Sequence, residues 1–188
     1  MNVEVYRYAG LMSAPVRDWM MLRLNAPVDS PQEPLGTRAP RASDVEGFAN
    51  LMWNAYRGTV DDGGESLEDA RGEASKTFDG GYGAIDWEAS CVVERGGELA
   101  AATIVVRDAT KWATGEAFIA FSMTSPKWKR QGLARAGMVR ALGVLSRRGE
   151  PRAHLVVTRE NRPAVALYES LGFERFDLKQ CVPWKGTT

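Results

Sequence analysis

Apolar residues recur at helical spacing between residues 44 and 57, which predicts a helix with one buried face. They are Val45, Phe48, Ala49, Met52 and Tyr56. At the start of this stretch, Ser43 and Glu46 have the spacing of a capping box, in which each side chain bonds the backbone N–H of the other residue. A second helix is predicted over residues 66–78, inside a stretch rich in glycine and acidic residues.

Strand patterns and helix patterns alternate in the C-terminal half of the chain. In chain order, the predicted elements are a hairpin around Gly96-Gly97, a strand over 115–125, a helix from Gly132 to about Arg147, a strand over 153–157, a helix from Pro163 to Gly172, and short strands over 173–177 and 181–185. Because an antiparallel hairpin precedes the alternating elements, this order predicts an α/β fold with a mixed sheet and helices on both faces.

The N-terminal region has a different character, since three prolines and a glycine interrupt regular structure over residues 26–36. Within it, residues 3–8 and 19–24 are each compatible with a short strand or a helical turn. We therefore predict an N-terminal arm over residues 1–37 and one compact domain over residues 38–188.

The charge and residue composition argue against several classes of binding partner. Lys+Arg and Asp+Glu number 24 each, so the net charge is zero, whereas general nucleic-acid binders carry a basic excess. No apolar run approaches the roughly 20 residues that cross a bilayer, and the first ten residues lack the apolar stretch of a signal peptide. Cys91 and Cys181 form neither a metal-binding spacing nor a redox pair. We expect a cytoplasmic protein with no nucleic-acid, membrane or metal partner.

The stretch KWKRQGLARAG, residues 127–137, places several cations and Gly132 at the start of a predicted helix. A helix N-terminus offers unpaired backbone N–H groups and a partial positive charge, and a glycine lets a ligand approach the backbone closely. This arrangement favours a phosphate site. The alternative is a simple bend on a solvated basic face. The stretch matches neither the G-x-x-x-x-G-K-[ST] nor the G-x-G-x-x-G phosphate motif.

With Pro126 six residues before Gly132, this stretch resembles the pyrophosphate loop of the GCN5-related N-acetyltransferases, the GNAT superfamily, which has the pattern Arg/Gln-x-x-Gly-x-Gly/Ala. Lys129 stands where the family usually has arginine or glutamine, and a lysine supplies charge without a bidentate fork. Ala134 stands at the position of the second glycine, a replacement that the family tolerates.

A second block, VTRENRPAVALYESLGFE, is similar to the closing block of the same family. In that block an asparagine ends a strand, a helix follows, and a Tyr-x-x-x-Gly-Phe segment closes it. Asn161, Tyr168, Gly172 and Phe173 occupy those places. The two blocks stand in the family's order, and the resemblance covers about residues 38–180.

The resemblance implies an α/β fold whose mixed, mostly antiparallel central sheet splays near Thr124 to admit acetyl-coenzyme A (acetyl-CoA). The backbone of about Arg130 to Ala134 would then bind the pyrophosphate. The implied binding residues are Met123, Thr124, Lys129, Arg130, Gln131, Gly132, Leu133, Ala134, Arg135 and Asn161. Met123 and Thr124 would act through their main chain, and the alternative role of Asn161 is a helix cap.

The implied activity is transfer of an acetyl group from acetyl-CoA to a primary amine by direct attack in a ternary complex. A non-catalytic acyl-CoA-binding sensor or partner module is the alternative. Tyr168 is the candidate general acid, because a phenol is protonated at neutral pH and can donate to a thiolate; its alternative role is core packing. Glu116, on the strand before the loop, is implied as the group that receives the amine proton, usually through water in this family. His154, the only histidine, does not match the usual catalytic position.

In this family the first helix and the loop after it form the part of the site that binds the amine acceptor, called the acceptor side below. Here they hold two aromatic residues and five carboxylates: Trp53, Tyr56, Asp61, Asp62, Glu65, Glu68 and Asp69. Such a loop suits a cationic amine, either a small molecule or a peptide. A solvated acidic surface is the simpler interpretation. A homodimer is compatible with these expectations.

Overall fold

The computed structural model describes residues 15–26, 28, 33–107 and 116–176. Within these residues, eight strands form one sheet and four α-helices pack against it. The strands are β1 (Arg17–Arg23), β2 (Thr37–Arg38), β3 (Ala84–Ile85), β4 (Cys91–Arg95), β5 (Glu98–Arg107), β6 (Ala117–Thr124), β7 (Arg152–Thr158) and β8 (Glu174–Arg175). The helices are α1 (Val45–Tyr56), α2 (Leu67–Phe78), α3 (Leu133–Arg147) and α4 (Arg162–Ser170).

The sheet is mixed and mostly antiparallel, as predicted. Its strand order is β2-β4-β5-β6-β7-β1-β8, with β3 beside β5, and among these strand pairs only β6 with β7 runs parallel. On one face, α1 and α2 pack in a core that contains Phe48 and Ile104. On the other face, α3 and α4 pack in a core that contains Met138 and Leu142. The prediction of helices on both faces is therefore confirmed. None of the described helices is long and apolar enough to cross a membrane.

The two central strands, β6 and β7, separate along their length. They pair only from Ala117↔Ala153 to Ile119↔Leu155, although β6 continues to Thr124 and β7 continues to Thr158. At the point of separation, the register of β6 against β5 shifts, so that Ala120 of β6 has no partner residue on β5. Beyond this shift, β6 stays paired with β5 up to Thr124. The predicted splay is confirmed, and it begins at Ala120 rather than near Thr124. The two facing strand edges thus leave backbone groups that a ligand can bond.

Strand β1 adds a part of the predicted arm to this sheet. It lies between β7 and β8 and pairs with β7 from Arg17↔Thr158 to Arg23↔Arg152. Met20 is fully buried. Residues 17–23 therefore belong to the same sheet as the predicted domain. Residues 19–24 were predicted as either a strand or a helical turn, and the structure shows a strand as far as Arg23. The strands predicted over 3–8 and 181–185 lie outside the described residues.

The start of α1 differs from the predicted capping box. Ser43 and Glu46 do not cap the helix, because Asp44 is the N-cap residue and makes no side-chain bond to α1. The Asp44 carboxylate accepts a hydrogen bond from the Arg41 N–H at 2.8 Å instead. Glu46 pairs with the Arg71 guanidinium at 2.8 Å, and such a charge-assisted contact competes well with a neutral backbone N–H.

Candidate active site

The turn before α3 has an unusual backbone. Gly132 has a φ of 76° and Arg130 a φ of 62°, so two residues of this short segment adopt the left-handed region. A Cβ built on Gly132 would meet no atom within 4 Å, so the space beside this glycine is open. The first N–H groups of α3 therefore lie next to an exposed left-handed turn. An anion can approach them there, as at other helix N-termini that bind anions.

The side chains of this loop divide into two groups. Lys129, Arg130 and Gln131 are exposed, and their polar groups can reach a ligand. Leu133 is 3% exposed and packs in a small apolar cluster, so it anchors the start of the helix. Arg135 is exposed and donates a hydrogen bond to Ser170 Oγ at 2.8 Å, so its charge is partly engaged with α4. Ala134 is half-buried.

The end of β6 carries unsatisfied polar atoms. Ser122 Oγ and Thr124 Oγ1 are buried, and neither has a hydrogen-bond partner among the described residues. Met123, between them, is 3% exposed and its side chain packs in the core beneath α1. The buried side chain leaves the main chain of Met123 as its means of contacting a ligand, and that contact stays a prediction. Unpaired buried hydroxyls are rare in folded proteins, and these two lie where the strands separate.

A cavity of about 230 Å³ opens between the separated ends of β6 and β7. Residues 119–122 of β6 and residues 155–158 of β7 form its walls. Tyr168 of α4 borders it from one helical layer, and α1, α2 and the loop between them border it from the other. Both sides of the sheet thus contribute to one cavity.

Tyr168 both packs in the core and lines this cavity. The residue is 8% exposed, and its ring lies 6.1 Å from that of Phe173. Burial raises the pKa of Tyr168 to about 12, with a smaller contribution from the negative charge of Asp61. The nearby Ser122 hydroxyl acts to lower that pKa, although no hydrogen bond of ordinary geometry joins the two groups. The phenol therefore keeps its proton throughout the physiological pH range.

Asn161 caps α4 and also joins that helix to the acceptor side. Its Oδ1 accepts a hydrogen bond from the Ala164 N–H at 3.3 Å, as in a helix N-cap. Its Nδ2 donates to Asp61 Oδ2 at 2.8 Å, and Thr158 Oγ1 donates to Asp61 Oδ1 at 2.5 Å. The loop between α1 and α2 is thereby tied to the end of β7.

A family model described as the acetyltransferase (GNAT) family matches residues 46–173. The chain belongs to the GNAT acetyltransferase family. The predicted family resemblance is confirmed, and the match contains both the loop at Gly132 and the block from Asn161 to Phe173.

The curated relatives of this GNAT protein match over a short segment. A mycothiol acetyltransferase of Thermobifida fusca is 50% identical over 52 residues, which is 28% of this chain and 16% of that protein. A mycothiol acetyltransferase of Nocardiopsis dassonvillei is 46% identical over 52 residues, again 28% of this chain and 16% of that protein. The matched segment thus spans 16% of the length of these relatives.

Solved structures share the fold at low identity. A GCN5-related N-acetyltransferase of Sphaerobacter thermophilus aligns with a TM-score of 0.62 and 22% identity, over 86% of this chain and 49% of that chain. The PaiA N-acetyltransferase of Thermoplasma acidophilum, in complex with coenzyme A, aligns with a TM-score of 0.58 and 15% identity, over 73% of this chain and 88% of that chain. These likenesses support the fold of the GNAT domain.

The structure places Glu116 away from the cavity of this GNAT domain. Glu116 precedes β6 at the end where β6 and β7 pair, and its carboxylate bonds Arg152 at 2.8 Å and His154 Nε2 at 2.5 Å. Trp19 Nε1 donates to His154 Nδ1 at 3.1 Å, so the imidazole proton lies on Nε2. Neither Glu116 nor His154 is among the described residues that line the cavity, so the structure does not bring Glu116 to Tyr168.

Most of the residues that were predicted on the acceptor side line the cavity. Of the two aromatic residues and five carboxylates predicted there, Glu68 alone lies outside the described lining, and it pairs with Arg71. Glu73, Lys76 and Tyr82 also border the cavity, although the sequence did not point to them. Lys76 Nζ donates to the Tyr82 hydroxyl at 3.0 Å. Glu73 and Lys76 form an i,i+3 ion pair on α2, and Tyr82 follows that helix. The packing of α2 against the sheet brings all three residues to the cavity.

Proposed function

We propose that this protein transfers the acetyl group of acetyl-CoA to the nitrogen of a primary amine by direct attack, with both substrates bound together. One observation carries the proposal: the separated strands form a cavity that is bordered by a protonated phenol, Tyr168. Family membership supports acetyl transfer. The amine as acceptor, a cytoplasmic location and a homodimer stay predictions from the sequence.

The residues present fit acetyl-CoA. The open space beside Gly132 suits a pyrophosphate on the backbone of Arg130 to Ala134, with charge supplied by Lys129 and Arg130. The unpartnered hydroxyls of Ser122 and Thr124 and the unpaired strand edges suit a polar chain lying between β6 and β7. When bound, acetyl-CoA supplies the thioester on which the acyl transfer depends.

Tyr168 has the properties of a general acid for this reaction. Because its pKa is about 12, its hydroxyl stays protonated at neutral pH and can donate a hydrogen bond to the departing sulfur. Its proton passes to the sulfur as the proton that the nitrogen loses replaces it. Main-chain N–H groups at the free edge of β6 can stabilise the negative charge that develops on the carbonyl oxygen. Residues from both helical layers line the cavity, so a substrate bound there would be partly shielded from water.

Calorimetric titration with acetyl-CoA tests the first half of this proposal, and a screen of primary amines for release of free thiol tests the second. We expect saturable binding of acetyl-CoA, and thiol release that requires both an amine and the Tyr168 hydroxyl. The absence of acetyl-CoA binding would contradict the proposal. Binding with no thiol release for any amine would instead favour a non-catalytic acyl-CoA-binding module.

A further inference from the structure

Two adjacent carboxylates of the α1–α2 loop have different partners. Asp62 accepts hydrogen bonds from the backbone N–H groups of Gly58 at 2.6 Å and Gly64 at 2.9 Å, so it stabilises its own loop. The Asp61 carboxylate instead accepts hydrogen bonds from Thr158 at the end of β7 and from Asn161 before α4. Asp61 is half-buried and lines the cavity. Asp62 lines the cavity as well, but of these two neighbours Asp61 is the one that side chains from outside the loop hold in place.

The geometry leaves Asp61 able to bind a further group. Each carboxylate oxygen has about two lone-pair directions. Thr158 occupies one direction on Oδ1 and Asn161 one on Oδ2, so each oxygen keeps acceptor capacity. The charge of Asp61 also reaches Tyr168, since it contributes to the raised pKa of that phenol. A fixed carboxylate and a protonated phenol thus border the same cavity.

Amine acetylation needs a group with these properties. A primary alkylamine is protonated at neutral pH, and the ammonium ion has no lone pair with which to attack. Glu116 is not among the described residues that line the cavity, and its carboxylate already pairs with Arg152 and His154. On the basis of the function proposed above, we propose that Asp61 binds the ammonium group of a cationic primary alkylamine and receives its proton before attack.

The protons and electrons balance as follows. One ammonium proton passes to an Asp61 oxygen and then to solvent. The freed nitrogen lone pair forms the bond to the acetyl carbon, while the carbon–sulfur bond breaks and its electron pair stays on sulfur. The Tyr168 hydroxyl gives its proton to that sulfur. The second proton lost by the nitrogen returns to the Tyr168 oxygen through solvent, so the enzyme regains its starting state.

Two amines of similar size test the role of Asp61 in catalysis. Propylamine is a cation at pH 7, whereas 2,2,2-trifluoroethylamine is largely neutral and needs no base before attack. For Asp61→Asn we expect kcat/KM with propylamine to fall about 100-fold, and with trifluoroethylamine by less than about threefold. Glu160→Gln is the matched control, because it removes an exposed carboxylate beside Asn161 that is not among the described lining residues. It should leave both amines unaffected.

A binding measurement separates this inference from the proposed function. With coenzyme A bound, we expect propylammonium to bind the wild-type protein at least about tenfold more tightly than Asp61→Asn in calorimetry, while acetyl-CoA binds both equally. Asp61→Glu, which keeps the charge, should restore part of the propylammonium affinity. Equal losses for the two amines, or no propylammonium binding by the folded wild type, would overturn the role of Asp61 while leaving acetyl-CoA binding intact. Loss of acetyl-CoA binding by the wild type would count against the proposed function itself.

Discussion

The two halves of the candidate site are built in different ways. The phosphate half consists of Lys129 to Gly132, a contiguous and exposed segment whose shape comes from two left-handed residues. The acceptor half depends on Asp61, whose partners Thr158 and Asn161 lie 97 and 100 residues further along the chain. One half is therefore a local backbone conformation, and the other exists only after the sheet and both helical layers have assembled.

This difference predicts how each half responds to mutation. A change in the exposed loop can alter ligand binding with a stability cost that depends only on local backbone strain. A change in the acceptor half affects packed residues that also hold the fold together, so function and stability must be measured separately there. The following variants test that contrast, from the largest expected effect to the smallest.

Tyr168→Phe should have the largest effect, because it removes the proposed proton donor and keeps the ring. We expect kcat to fall by about 10²- to 10⁴-fold, with kcat/KM falling equally. The melting temperature and the affinity for acetyl-CoA should change little. Steady-state assays with any working amine check this, and slow hydrolysis of the thioester can substitute. A variant that melts early and works at the full rate would show that Tyr168 is a packing residue only.

Asp18→Asn should destabilise the strand that supports the acceptor half. Asp18 is 7% exposed and accepts hydrogen bonds from Arg159 at 2.6 Å and Arg175 at 3.0 Å. Hydrogen bonds to charged groups contribute about 1.5–3 kcal/mol, so we expect the free energy of unfolding at pH 7 to fall by about 2 kcal/mol. Urea unfolding measures this change. Glu169→Gln, which weakens only an exposed pair with Arg175, should cost less than about 1 kcal/mol.

The same ion pairs predict a pH dependence for Asp18. The hydrogen bond from Arg159 is the main cause that lowers the pKa of the Asp18 carboxyl below its usual value of 3.8, against an opposing effect of burial. A lowered folded-state pKa stabilises the fold above the unfolded-state pKa, and that stabilisation is lost as the pH falls through the folded-state pKa. The stability difference between wild type and Asp18→Asn should therefore persist above about pH 4 and shrink below it. A difference that stayed constant down to pH 2 would contradict this assignment.

Gly132→Val tests the phosphate half, and Gly149→Val at the other end of α3 is its control. Both glycines have a left-handed φ, 76° and 75°, and a Cβ on either would meet no atom within 4 Å, so both variants strain the backbone alike. We expect acetyl-CoA to bind Gly132→Val at least about tenfold more weakly, a loss of about 1.4 kcal/mol. Gly149→Val should bind normally. Equal affinities of the two folded variants in calorimetry would rule out this loop as the phosphate site.

Substitutions of Asn161 should have the smallest effect. They distinguish its two predicted roles, which are capping α4 and binding acetyl-CoA. Asn161→Ala removes the cap of α4, so the free energy of unfolding should fall by about 1 kcal/mol. Asn161→Ser keeps a capping oxygen, so its stability should stay near that of the wild type. If Asn161 also holds acetyl-CoA, then Asn161→Ser should still bind that ligand several-fold more weakly. Unchanged affinity would leave the cap and the bond to Asp61 as its roles.

The sequence by itself determined the elements whose causes are local. Helical spacing of apolar residues predicted α1, Gly96-Gly97 predicted the hairpin of β4 and β5, and the glycine before α3 predicted the loop. Each of these depends on residues a few positions apart, whose backbone preferences and periodicity are visible in the chain. The two motif blocks were sufficient for the family because both are contiguous.

Only the tertiary structure decided where distant residues meet. Residues 19–24 were compatible with a strand or a helical turn, and the pairing of residues 17–23 with β7 selects the strand. The family resemblance implied that Glu116 serves the amine, but the position of a residue relative to the cavity depends on where β6 and β7 separate. Asp61 looked like part of a solvated acidic loop until folding placed it against Thr158 and Asn161. Such contacts depend on long-range packing and strand register, which leave no local trace in the order of residues.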